Sequence, residues 1–143
     1  KTIKKCPLFS NVSVGDVGSL AHKFVEKKAV PNQWIARKGD PSNGLIIVAT
    51  GKFEMTFENE KDKEELKSFD YFGELSVVQQ ETRGVGVKCV VPGDFLLLSQ
   101  ENFQDLMKEH PHVAGKVAQA VAESVSKKMK GIREWVGTML GEA

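Results

Sequence analysis

At 143 residues the chain has the size of one compact domain, long enough to bury about 70% of the surface its unfolded form exposes. Its 20 lysines and arginines against 19 aspartates and glutamates leave a net charge of +1, which excludes a broad field for nucleic acid or an acidic membrane. Cys6 and Cys89 lie far apart and near no second ligand pair, which excludes a disulfide framework and a zinc site and reads as reduced thiols of a cytoplasmic protein.

The apolar runs 45–49 and 95–98 are far below the roughly 18 residues that a membrane span needs, and no signal peptide opens the chain. The sequence is therefore read as soluble, with no membrane segment. It starts at Lys1 rather than a methionine, as a piece of a longer protein would.

In chain order, Ser13 followed by Asp16 resembles a cap, and Val14, Val17, Leu20, Ala21, Phe24 and Val25 recur at helical spacing. That predicts a helix over 14–27. From 33 to 99 short β-rich runs alternate with turn residues at Lys38-Gly39-Asp40, Asn43-Gly44, Gly51, Asn59 and Pro92-Gly93-Asp94, the spacing of a sandwich or barrel. The run 52–58 is a half-buried strand with Phe53, Met55 and Phe57 inward. Residues 45–50 are apolar throughout and predict deeper burial, Val85, Val87, Cys89 and Val91 alternate again, and Trp34 reads as core. After Ser99 the helical period returns through Phe103, Leu106 and Met107, then from Ala114 to Val136. A straight helix over 112–139 would be about 42 Å long, more than a small barrel covers, so part of it projects or bends, with Gly131 and Gly137 as bend points. The resulting expectation is one domain over 1–143: a helical lead-in to about 27, a β unit over about 28–99 and helices over about 100–140.

Inside the β unit the stretch 74–80 has no strict alternation and few turn residues, which fits a helical turn or two. Its start, at Gly73 and Glu74, would offer free backbone N–H groups to an anion. Arg83 follows at a turn's length, and a guanidinium grips two phosphate oxygens at once. Glu74 has the wrong charge for a phosphate and the right one to accept hydrogen bonds from a sugar hydroxyl. Together the two residues read as a site for a sugar plus a phosphate. The bland alternative for the pair is an ion pair beside a turn.

Phe72, Gly73, Glu74, Leu75, Ser76, Val77, Arg83 and Val87 resemble the phosphate cassette of the cyclic-nucleotide-binding domain family, F-G-E-(L/I)-(A/S)-L followed by P-R-(A/T/S)-A-(T/S)-V. Lys38-Gly39-Asp40, 45–48 with Gly51, and Cys6-Pro7-Leu8-Phe9 are similar to further family motifs in the same order, so the likeness covers about 6–125. It implies a mainly β fold, an eight-stranded antiparallel β-roll of jelly-roll type, with an N-terminal helix and two C-terminal helices. It further implies a cyclic nucleotide, cAMP or cGMP, as ligand rather than cofactor. Gly73, Glu74, Leu75, Ser76, Arg83, Gly84 and Val85 would line that ligand, with Glu74 on the ribose 2′-hydroxyl and Arg83 on the phosphate. Amides of Gly73, Glu74 and Ser76 would complete the cradle, and an apolar or aromatic residue of the C-terminal helices would cap the base. Trp135 is the candidate cap, although an aromatic at helical spacing usually serves packing.

The sequence departs from the cassette at Thr82, Gly84, Val85 and Gly86. A missing hydroxyl at 84 tilts the choice from cGMP toward cAMP, Val85 adds bulk, and two glycines loosen the strand. The expected function is thus a non-enzymatic regulatory sensor that signals through its C-terminal helices to an effector, foremost a protein kinase catalytic region. The alternative is a degenerate module that binds no nucleotide and serves as a protein-interaction domain. A transcription factor would need a DNA-binding module that nothing after Gly131 is long enough to supply, and a nucleotide-gated channel would need flanking sequence. No nucleophile–base pair, carboxylate dyad or metal cluster is visible, and His22, His110 and His112 stand isolated.

Overall fold

The structure is a computed structural model. It describes residues 2–57, 63–77 and 84–139, with side chains as far as residue 128. Eight strands follow one another: β1 Val25–Ala29, β2 Trp34–Ala36, β3 Leu45–Val48, β4 Lys52–Thr56, β5 Lys63–Leu66, β6 Tyr71–Phe72, β7 Gly86–Val91 and β8 Gly93–Leu98. They form two four-stranded sheets, ordered β1-β8-β3-β6 and β2-β7-β4-β5, and every pairing is antiparallel. The expected β-roll is therefore present.

The apolar run at 45–48 is explained by burial on both faces. Ile46 and Val48 point into the roll with Phe53, Met55, Phe72, Val87, Cys89, Phe95 and Leu97. Leu45 and Ile47 point the other way, into a layer of helices. A strand alternating between two cores has no position left for a polar residue. β8 does the same, with Phe95 and Leu97 inward and Leu98 toward the helices. Phe53 and Phe95 meet edge to face inside the roll, centroids 6.2 Å apart.

The helix layer comprises α1 Thr2–Lys5, a 3₁₀ turn at Pro7–Phe9, α2 Val14–Ala21, α3 Gln100–Glu109 and α4 Pro111–Met139. Ile3, Phe9, Leu20, Phe103, Leu106, Val113, Val117 and Val121 fill its core. Ser13 and Ser99 cap α2 and α3, accepting from the amides of Asp16 and Asn102 at 3.2 and 3.0 Å. The ion pair Lys116–Asp16, at 2.9 Å, ties α4 to α2 and holds the Asp16 carboxyl below its usual range, chiefly through the lysine's hydrogen bond. α4 has 29 residues, and its helical backbone runs unbroken through Gly131 and Gly137, the expected bend points.

Four expectations need correction. The helix predicted over 14–27 ends at Ala21, and the roll begins at Val25. The Asn102 side-chain amide donates to the Lys23 carbonyl at 3.0 Å, satisfying backbone that a longer helix would have used. Val25 then joins β8 opposite Leu97 on an edge strand and is 46% exposed, so its helical spacing was coincidental. Val91 is exposed because the β4–β7 register jumps between Lys52↔Val91 and Phe53↔Cys89, and the extra residue breaks the alternation. Phe57 lies beyond the end of β4 and is exposed instead of inward. Trp34 is 37% exposed rather than core, its ring flanked by Arg37 and Lys88 at 5.8 and 5.5 Å. The turn at Asn59 lies outside the described residues.

Candidate functional site

The cassette begins where β6 ends. Phe72 belongs to the roll interior, Gly73 takes the left-handed φ of +77°, and Glu74–Val77 forms one 3₁₀ turn ending with Val77 in the helix layer. A side chain at position 73 would strain that φ by about 1–2 kcal/mol, which is why the crossing point is a glycine. Six residues therefore carry the chain from one core to the other, with Glu74 among them. Leu75 packs against the helix layer. Ser76 is buried, its hydroxyl bonded to that of Ser42. Its amide, expected in the phosphate cradle, donates to the Gly73 carbonyl at 3.1 Å as the turn's own hydrogen bond.

Glu74 is 6% exposed, and its carboxylate faces α4. Lys128 Nζ donates to Oε1 at 2.8 Å and to Oε2 at 2.9 Å. Ser124 Oγ donates to Oε2 at 3.2 Å. Because a serine has one hydroxyl proton, the 2.9 Å contact between Ser124 and Tyr71 is a bond that the tyrosine donates. Lys128 also lies 5.6 Å from the Tyr71 ring centroid. A buried carboxylate is costly unless paired, and here α4 supplies the pairing. Ser124 and Lys128 are four apart, on one face of α4. Sequence reasoning missed both, together with Tyr71 and Ser42. The available signal was the stripe 114, 117, 121, 124, 128, in which apolar residues give way to a serine and a lysine at core-facing spacing.

At the other end of the cassette Gly84 is exposed and Val85 packs half-buried against the roll interior. Gly86 is buried and pairs with Thr56. A Cβ on Gly86 would sit 2.8 Å from Trp34 Cζ3, so the glycine at this departure from the cassette pattern makes room for a ring packed across the strands. Trp34, Arg37, Thr56, Phe57 and Gly86 line an open cleft of about 370 Å3 beside it. Arg83 and Thr82, like the second half of the predicted helical stretch at 78–80, lie outside the described residues, as does the side chain of Trp135. Among the described residues no cluster of histidine, cysteine or acid is arranged to hold a metal, and no helix is long and apolar enough to cross a membrane. Cys6 and Cys89 are free and buried. Burial pushes the Cys6 thiol up to about 11, with the Asp70 and Glu74 charges acting in the same direction.

Comparison with known proteins adds sequence and fold relatives. The family model described as "Cyclic nucleotide-binding domain" matches residues 26–110. An "Uncharacterized NTE family protein" of Mycobacterium bovis is 26% identical over 121 residues, covering 84% of this chain. The cAMP-dependent protein kinase regulatory subunit of Emericella nidulans is 24% identical over 106 residues, covering 73% of it. The chain spans only 21% and 26% of those two relatives' own lengths. Among solved structures, the catabolite activator protein of Thermus thermophilus superposes with a TM-score of 0.79 at 20% identity, over 93% of this chain and 62% of that one, a likeness of fold.

Proposed function

The chain belongs to the cyclic nucleotide-binding domain family, and from that premise we propose that it is a regulatory sensor that binds a cyclic nucleotide at residues 73–76 and 83–85. The observation that carries this reading is the cassette itself: the F-G-E-L-S sequence, a left-handed Gly73 and a one-turn 3₁₀ segment placed where the roll interior meets the helix layer. In this reading Gly73, Glu74, Leu75 and Ser76 line one side of the nucleotide, with Gly84 and Val85 on the other. Arg83 takes the cyclic phosphate in a bidentate grip, and Glu74 takes the ribose 2′-hydroxyl. Position 84, lacking a hydroxyl, favours cAMP over cGMP. The domain performs no chemistry. Binding changes how α4 sits, and α4 carries the signal to an effector in the parent protein, for which a protein kinase catalytic region is the first candidate, as the fungal regulatory subunit's name suggests. Trp135 on α4 is the candidate cap over the base.

A nucleotide of about 22 heavy atoms at about 0.3 kcal/mol each binds with about 7 kcal/mol, a micromolar-range constant. A hydrogen bond to a charged group contributes about 1.5–3 kcal/mol, so Arg83→Ala weakens binding by about tenfold to a hundredfold. The test is calorimetric titration of cAMP and of cGMP into the wild type and Arg83→Ala. Micromolar cAMP affinity that collapses in the variant supports the sensor, and equal affinity in both removes Arg83 from the site.

One observation favours a second reading. The Glu74 carboxylate already holds Lys128 and Ser124, which suits a degenerate module whose roll serves protein interaction alone. That reading predicts no heat with either nucleotide at millimolar concentration.

A further inference from the structure

The carboxylate that the proposed function gives to a ribose hydroxyl is engaged by α4. Lys128 reaches both oxygens, at 2.8 and 2.9 Å, and Ser124 adds a third bond at 3.2 Å, supported from behind by the Tyr71 hydroxyl. The Glu74 side chain is only 8% exposed, so little space remains for a further donor while these are in place. From this we infer that Lys128 and Ser124 form a latch: α4 and the nucleotide's ribose compete for the Glu74 carboxylate, so that closing one contact opens the other. The inference rests on the proposed reading of the cassette.

Three features of the molecule support a releasable contact over a fixed brace. Residues 72–77 cross between the roll interior and the helix layer, so a ligand on one side and α4 on the other reach the same residue. The Lys128 side chain is 57% exposed and lines a cleft of about 390 Å3 with Leu8, Asn11, Tyr71 and Gln119, so its ammonium regains water on release, whereas Glu74 cannot. The apolar anchoring of α4 is also uneven. Val113, Ala114, Val117 and Val121 are buried in the helix core, whereas the next turn holds on through Ser124, Lys128 and a half-buried Val125. Opening the latch therefore loosens the turn that carries Ser124 and Lys128 and leaves the first half of α4 docked. Ligand binding is thereby converted into a repositioning of the helix that continues to Met139.

A protein that must first open a latch binds with an affinity reduced by the fraction already open. Lys128→Met thus tightens cAMP binding by roughly tenfold and Ser124→Ala by roughly threefold, while Lys128→Arg, which keeps the pairing, stays near wild type. The experiment titrates cAMP calorimetrically into these four proteins and follows hydrogen exchange of amides 122–128 with and without saturating cAMP. The latch predicts that nucleotide-free Lys128→Met exchanges over 122–128 like nucleotide-saturated wild type. Binding seen only in Lys128→Met supports it equally. If the wild type binds and neither Lys128→Met nor Ser124→Ala binds more tightly, the latch is wrong and the cassette reading survives. If no protein binds, the cassette reading fails and takes the latch with it. Should Lys128→Met fail to fold, Ser124→Ala, which removes one hydroxyl, decides the matter by the same criteria.

Discussion

Replacing Gly86 with threonine, the residue type the cassette pattern carries there, tests whether this glycine exists to accommodate Trp34. A Cβ at that position would stand 2.8 Å from Trp34 Cζ3, and an ordinary contact needs about 3.5–4 Å, so the ring must move by about 1 Å. The backbone on both sides is pinned, with β2 paired to β7 at Trp34↔Lys88 and β4 paired to β7 at Thr56↔Gly86. The movement therefore falls on the ring, which is partly exposed and free to tilt outward. Tilting forfeits its stacking with Arg37 and Lys88, about 0.5–1 kcal/mol each, and residual strain adds about 1 kcal/mol. Against this, threonine for glycine in a strand gains about 0.5–1 kcal/mol of chain entropy and β propensity. The net expectation is a loss of about 1–2.5 kcal/mol, a fall in Tm of roughly 3–10 °C. In a Trp34→Ala background the obstacle is gone, and the same change becomes stabilising by about 0.5–1 kcal/mol. Urea unfolding of the four proteins in this cycle gives the coupling directly. A cost of equal size in both backgrounds refutes the argument.

Gly73→Ala forces a Cβ into a left-handed φ and lowers stability by about 1–2 kcal/mol in chemical unfolding; no change means that the cassette does not need this geometry. Lys128→Met removes the charge partner of a nearly buried carboxylate and costs about 1–2 kcal/mol in the same assay. Lys52→Met, at a 3.4 Å pair whose side chains are both mostly exposed, costs at most about 0.5 kcal/mol, and reversed magnitudes contradict the burial argument. Cys6 supplies a pH dependence. Its thiol keeps its proton in the native state up to about 11 against an ordinary 9.0, while the unfolded chain releases it earlier. The native state thus binds the extra proton, so stability falls as pH rises from about 9 to about 11 and that contribution levels off above. Denaturation followed over that range shows a steeper decline in wild type than in Cys6→Ala, and equal slopes would show that this thiol is not buried as described.

Much of the roll was legible because its burial is written in residue order. The run 45–48 could be read as doubly buried since both faces of β3 meet apolar cores, and Phe53 and Met55 alternate as a single-faced strand requires. Helix 14–27 was read too long because Phe24 and Val25 fall at helical spacing by chance. Just past the end of α2 the Lys23 carbonyl is held by a side chain from residue 102, invisible to any local window. Trp34 was misplaced because hydrophobic bulk implied core, whereas two cations and a facing glycine let the ring lie on the outside. The cassette was legible as a motif, but the partners of its acid were not. Lys128 lies 54 positions from Glu74, and only the fold brings them together. A closer reading of the α4 stripe would have flagged Ser124 as a polar residue at a core-facing position, without saying what it met.

Backbone amide NMR during a cAMP titration reports most directly whether the cassette is where a cyclic nucleotide docks. Saturable shifts concentrated at residues 73–77 and 84–87, followed by those of 122–128 as Glu74 changes partners, are the predicted result. Shifts confined to other parts of the chain, or none at millimolar cAMP or cGMP, would contradict it.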